Sequence, residues 1–216
     1  AKLLFVQNDV PTPDGFIHTK NGDCRGQGLE LIKKYGEIIV KPNGGGSTVG
    51  VTMHITSKDA LLAGLELAWK EESKALVEAY IPGKEATVPV WEKADGEIIA
   101  LPAIEIRPKT GFYDYTNKYT HGCTEYICPA PFSNETTKKL QEAAVKAHKC
   151  LGCRVYSRTD FRVTDDDKIY ALEVNTAPGM TSTSLVPKAA KAAGVSFPDF
   201  LDSLVKLSFS IDRSSK

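Results

Sequence analysis

The sequence predicts an α+β fold with largely antiparallel sheets. Three observations carry that expectation. Strand-like runs succeed one another through short turns, as across Pro82-Gly83 and across the Asp-rich tip at 165–167. Helical runs fall between groups of strands and do not alternate with single strands, which disfavours a regular parallel βαβ sheet. No internal repeat or low-complexity tract stands out, and 216 residues suffice for one large domain or two small ones. A seam near Pro82-Gly83 predicts two subdomains, 1–82 and 83–216.

Each element has a local cause. "AKLLFVQNDV" reads as a helix already under way at Ala1 and lacks an initiating Met, so a cut from a longer chain is expected. "VPTPDGF" is an extended entry fixed by proline. "RGQGLELIKKYG" is a helix ended by Gly36, and "EIIVKP" is a short buried strand. After "NGGGST", the stretch "TVGVTMHI" alternates, with Val49, Val51, Met53 and Ile55 on one face. "SKDALLAGLELAWKEES" is an amphipathic helix capped by Ser57. "KALVEAYIPGKEATVPVWEK" holds two strands, and "EIIALPAIEIRP" reads as one more. Residues 107–131 are rich in Tyr, Thr and Gly without a period, as long functional segments often are. "NETTKKLQEAAVKAHKCLG" is a helix capped at Ser133 or Asn134. "RVYSRTDFRV" and "KIYALEV" make a hairpin, and two helices follow near 183–193 and 197–209.

Composition narrows the function. The 27 basic residues balance the 27 acidic ones, which argues against non-specific nucleic-acid binding. No apolar run reaches the roughly 20 residues of a membrane span, and no signal peptide is visible. Five cysteines are no disulfide framework, so a reducing, cytoplasmic setting is expected. Cys150 and Cys153 form a C-x-x-C beside His148. That is either a zinc or redox site or, as the surrounding "KCLGCRVYSR" suggests, a pair of small packed residues.

The chemistry gathers in the hairpin. With a two-residue turn at Asp166-Asp167, Asp160 falls opposite Glu173 and Arg158 opposite Asn175. Arg158, Asp160 and Arg162 then share a face with Ala171, Glu173 and Asn175, while Phe161 and Val163 face away with Tyr170, Leu172 and Val174. Oxygen donors of this kind suit Mg²⁺, which takes one or two carboxylates plus substrate phosphates. A solvated pair of strands laced with ion pairs is the alternative. "IIVKPNGGGSTVG" places Lys41 before three glycines, a pattern that can cradle an anion without being a Walker loop. "TGFYDYTNKYTHGCTEY" carries Lys118 in an aromatic-rich segment able to cover a phosphate. "ALVEAYIPGKEATV" offers Glu78, the backbone at Ile81, and Glu85 to a nucleobase edge and a ribose. Beyond Asn175, Gly179 exposes an N–H, and Ser184 opens a helix whose first turn favours a carboxylate.

Taken in order, these motifs resemble the ATP-grasp superfamily, and within it the D-alanine–D-alanine ligases. "VYSRTDFRV", "YALEVNTAPGMTSTSLVPKAAKAAG", "IIVKPNGGGSTVGV", "LVEAYIPGKEATV" and "GFYDYTNKYT" carry the resemblance, which covers nearly the whole chain. It implies two α+β subdomains with nucleotide held between them. It also implies a reaction: ATP phosphorylates one D-alanine, and the amine of a second attacks the acyl phosphate, in peptidoglycan precursor synthesis. By that resemblance Lys41 and Lys118 hold phosphates, Glu78 and Ile81 read adenine, and Glu85 reads the ribose. Asp160, Glu173 and Asn175 hold Mg²⁺, with Mn²⁺ as an alternative. Arg158 and Gly179 stabilise charge on the intermediate, Ser184 and Leu185 hold the second carboxylate, and Ser47 and Tyr119 join the network beside the first substrate.

Two departures stand out. Gly44 and Gly45 replace residues usually charged in the family, and the family's N-terminal domain is missing as a partner. The chain alone is therefore expected to bind Mg-ATP and to ligate poorly. D-lactate or D-serine as second substrate, or a non-catalytic nucleotide-binding module, are the competing readings. A homodimer is admitted but not specified.

Overall fold

The computed structural model describes residues 1–22, 25–45, 49–109 and 123–211. By contact the chain divides into two compact units: a smaller one of 13–81 with 108–124, and a larger one of 1–12, 82–107 and 125–216. Grouping by contact is not a single cut in sequence, because the first twelve residues group with the larger unit.

In the larger unit the chain opens with α1 (Lys2–Gln7), whose Phe5 is fully buried. The smaller unit then contributes β1 (Gly15–Thr19), α2 (Arg25–Tyr35), β2 (Ile38–Pro42), β3 (Thr52–Ile55), α3 (Lys58–Glu71) and β4 (Lys74–Ala79). Its sheet runs β1-β4-β2-β3, antiparallel throughout. Ile38 and Val40 alternate into a core closed by Leu61, Leu65 and Ala68, which share one face of α3 at helical spacing. The Ser57 hydroxyl accepts from the Ala60 N–H and starts α3, as expected. Gly36, at φ +81°, ends α2. The alternation read from Val49 is shorter than expected. Gly50 turns the chain at φ +71°, Val49 stays exposed, and His54 adopts a left-handed φ of +56°, so the common face of Val49, Val51, Met53 and Ile55 does not form.

The larger unit continues with β5 (Lys84–Glu92), β6 (Ile98–Ala100), β7 (Ile104–Pro108), β8 (Thr124–Ile127), α4 (Asn134–Cys150), β9 (Tyr156–Val163), β10 (Ile169–Asn175), α5 (Leu185–Ala192) and α6 (Phe197–Ser210). Its sheet runs β10-β9-β5-β7-β8, with β6 also on β5. The stretch expected as one strand at 98–108 is two, and the reason is local. Pro89 accepts from the Leu101 N–H but has no N–H to return, and Pro102 follows. The ladder therefore breaks there. On one face of the sheet, Leu140, Ala143, Ala144 and Ala147 present a stripe of α4 spaced i, i+3, i+4, i+7. On the other, α5 and α6 bury Val186, Ala189, Ala190 and Phe200. Ser133 caps α4 through the Thr136 N–H. No described helix is long and apolar enough to cross a membrane.

The hairpin differs from the sequence reading in two ways that cancel. Thr164 pairs with Lys168 around a three-residue loop in which Asp167 sits at φ +59°, not around a two-residue turn. Pairing thus begins as Val163↔Ile169 and Phe161↔Ala171, which puts Ala171 on the apolar face and Tyr170 opposite Arg162. A bulge at Leu172 then inserts one residue, and the pairs beyond it are Asp160↔Glu173 and Arg158↔Asn175, as the sequence predicts.

Beneath β9 lies a buried polar group. His148 is fully buried, with Nδ1 2.8 Å from the Ser157 hydroxyl. The C-x-x-C thiols beside it are free, and burial pushes both up from the ordinary thiol value, so they sit as packed thiols rather than thiolates. Nearby, Val155 holds a strained φ of +67°, and Glu92 secures it by accepting from its N–H at 2.9 Å and from the Arg154 guanidinium. That guanidinium keeps the Glu92 carboxyl below its usual range.

Two outcomes follow. Burial lowers the His148 pKa below its ordinary 6.5, so the unfolded chain takes up a proton that the folded one resists. Stability is full above about pH 6.5 and falls as pH drops toward the depressed folded value, and His148→Phe flattens that fall in urea titrations at pH 7.5 and 5.5. Gly83→Ala places a Cβ 2.2 Å from the Val163 carbonyl oxygen at φ +120°. It lowers the urea midpoint by the equivalent of about 3 kcal/mol or more.

Candidate active site

One face of β5, β9 and β10 carries three rungs of side chains. They are Glu85–Arg162–Tyr170, Thr87–Asp160–Glu173 and Pro89–Arg158–Asn175, spaced two residues apart along β5 and β9 and, on β10, three apart across the bulge and then two. The opposite face holds Ala86, Phe161 and Ala171 in the core. The pleat alone thus segregates charge from core.

Side chains of the second and third rungs converge on Asp160. Arg158 grips it with both ends of its fork, Nε to Oδ1 at 3.0 Å and Nη2 to Oδ2 at 3.1 Å. The Asn175 amide donates to Oδ2 at 2.9 Å, and the Thr87 hydroxyl donates to Oδ1 at 2.5 Å. Glu173 stands opposite Asp160 in register and is exposed. The donor set is two carboxylates and a carboxamide whose N–H₂ is turned to Asp160, which leaves its carbonyl oxygen as the donor to an ion. Among the described residues no three His, Cys, Asp or Glu side chains gather into a metal site by themselves. A few hard oxygens, completed by phosphate and water, suit Mg²⁺ and do not suit a soft metal.

One rung away, Arg162 donates to Glu85 at 3.0 Å and to the Gly83 carbonyl at 2.7 Å. Past β10, Ser184 takes the N-cap position of α5, but its hydroxyl does not cap the helix. It accepts from the Thr181 N–H at 3.1 Å and lies 2.8 Å from the Thr181 hydroxyl. The first-turn N–H groups of α5, that of Leu185 included, have no intrahelical partner by helix geometry. A Cβ on Gly179 would meet Ser184 Oγ at 3.2 Å, so the glycine lets the loop approach the helix start.

In the smaller unit, Lys41 on β2 and Glu78 on β4 lie on a diagonal of the ladder, and Nζ is 2.5 Å from Oε1. The Glu78 side chain is 2% exposed. Ile81 is the last residue of that unit's first segment. Ser47, Lys118 and Tyr119 lie outside the described residues.

The family model described as D-ala D-ala ligase C-terminus matches residues 17–206. The chain belongs to the D-alanine–D-alanine ligase family. It is 47% identical over 211 residues to the D-alanine–D-alanine ligase of Halalkalibacterium halodurans, a match covering 96% of this chain and 67% of that protein. The ligase of Bacillus anthracis complexed with ATP superposes with a TM-score of 0.78 at 32% identity, covering 96% of this chain and 64% of that one. The VanG D-Ala:D-Ser ligase of Enterococcus faecalis superposes with a TM-score of 0.81 at 33% identity, covering 95% and 59%. The chain therefore spans about two thirds of the length of the relatives it matches. The two antiparallel α+β units are those of the ATP-grasp ligases.

Against this ligase framework, the structure brings Arg158, Asp160 and Asn175 into direct contact and sets Glu173 opposite, as the hairpin arithmetic predicts. It also joins Lys41 to Glu78, which the sequence reading kept apart as phosphate and adenine contacts. Thr87 and the Arg162–Glu85 pair are site-face features that the sequence reading does not mark. Strand alternation counted from Glu85 would have placed Thr87 on the site face. Lys41→Met removes one half of a buried ion pair and lowers the unfolding free energy by roughly 3 kcal/mol in urea titration, while Lys41→Met with Glu78→Leu recovers most of it.

Proposed function

We propose that this chain is the nucleotide-binding and bond-forming part of an ATP-dependent ligase that joins two D-alanines through an acyl phosphate. The observation that carries this reading is the Arg158–Asp160–Asn175 cluster facing Glu173 on one hairpin face. Asp160, Glu173 and Asn175 would hold Mg²⁺, with Mn²⁺ as a substitute. Bound there, the ion supplies charge neutralisation and orientation for the phosphate oxygens. Lys41 and Lys118 bear on phosphates, Glu78 and the Ile81 backbone on adenine, and Glu85 on the ribose. ATP in the Bacillus anthracis structure supports the nucleotide assignment.

The carboxylate of the first D-alanine attacks the γ-phosphorus, ADP leaves, and the acyl phosphate forms. The amine of the second D-alanine attacks the acyl carbon and loses a proton. Phosphate leaves as the tetrahedral oxyanion collapses. Arg158 and the Gly179 N–H meet that oxyanion, a contact whose loss typically costs about 10²–10³ in rate. Ser184 and the Leu185 N–H hold the second carboxylate at the positive end of α5. Ser47 and Tyr119 act beside the first substrate. The N-terminal third present in the relatives completes the wall, and the full enzyme is cytoplasmic.

ATP with Mg²⁺ raises the melting temperature of the chain, and Asp160→Asn abolishes the rise. ADP release is measured with D-alanine alone and then with D-serine or D-lactate as the second substrate, in the presence and absence of an added N-terminal domain. Release driven by D-alanine and dependent on that domain is expected. Faster release with D-serine would move the chain to the substrate class of the VanG ligase, and no nucleotide-dependent stabilisation would overturn the reading.

A further inference from the structure

Thr87 is fully buried in the central strand β5, paired through Asp160 to β9 and through Ile104 to β7. Its hydroxyl lies 2.5 Å from Asp160 Oδ1 and 3.1 Å from the Thr159 carbonyl oxygen. It has one proton for two acceptors. The carboxylate is the nearer and the stronger, so the proton goes to Asp160. Oδ1 also takes the Arg158 Nε–H, and Oδ2 takes the Arg158 Nη2–H and the Asn175 amide, so all four acceptor positions of the carboxylate are engaged.

A cation reaching Asp160 must replace one of these donors. The Arg158 fork ends a long side chain, and Arg158 and Asn175 each have a further task at the reacting groups under the reading above. Thr87 has none. Its backbone is laddered on both sides and its short, β-branched side chain has little rotamer freedom. We propose that Thr87 is a positioning residue for the metal-binding carboxylate: it keeps one oxygen of Asp160 fixed and so presents the other to the ion whatever Arg158 does. This inference rests on the assignment of Asp160 as a metal ligand.

The test uses the 216-residue chain with ADP, titrated with Mn²⁺ and followed by the electron paramagnetic resonance signal of free Mn²⁺. Thr87→Val preserves shape and removes the donor, and Thr87→Ser restores the donor with less bulk. The Val variant is expected to bind Mn²⁺ about 10–100-fold more weakly, as losses of such supporting hydrogen bonds do. The Ser variant is expected to stay close to the parent, and thermal unfolding without metal to show both variants folded. A Val variant with parental Mn²⁺ affinity, alongside an Asp160→Asn variant that loses binding, overturns the role of Thr87 alone. Parental affinity in both variants overturns the metal assignment and the inference together. Equal weakening in the Ser and Val variants assigns the effect to packing and also overturns the proposal.

Discussion

The chemistry of the larger unit depends on β9 being laddered on both sides. Its eight residues pair with β5 along their whole length and with β10 along most of it. Alternation then leaves no choice: Ser157, Thr159, Phe161 and Val163 turn into the core, and Arg158, Asp160 and Arg162 turn out. A carboxylate held by two neighbouring strands costs little further entropy to orient, since the backbone has already been fixed by folding. The side chains that grip Asp160 come from β5, β9 and β10 in turn, so its geometry is a property of the sheet and not of any loop.

The buried face supports the same strand differently. The alanines of α4 let the helix approach closely, and His148 at its end reaches Ser157 on β9. The strained turn at Val155 that leads into β9 is secured by Glu92, the last residue of β5. Helix, turn and neighbouring strand thus each set where β9 begins.

Much of this was legible in the residues. The helix caps at Ser57 and Ser133 and the Gly36 stop follow from local chemistry, whereas the Asp160↔Glu173 pairing is reached from the sequence only because two misread features cancel. The loop length at 165–167 and the bulge at Leu172 do not. Three aspartates in a row fit several turns, and a bulge shows in sequence only as a break in alternation, which Leu172-Glu173-Val174 lacks. The Pro89–Pro102 conflict was readable in principle, but only once β5 was known to neighbour 98–108. The Lys41–Glu78 contact is a diagonal across two strands that are not consecutive in sequence, so it needs the sheet order before it can be foreseen.

The bulge has a consequence for how this hairpin can change. One extra residue at the tip and one at Leu172 leave the pairs beyond them where a simpler ribbon would have put them. The bulge separates the tip-side pairs, from Val163↔Ile169 to Phe161↔Ala171, from the Asp160↔Glu173 and Arg158↔Asn175 pairs. The tip at 165–167 is exposed, and the bulge stands between it and the Asp160 and Arg158 rungs, so the tip is the natural place to attach a reporter that leaves those two rungs undisturbed.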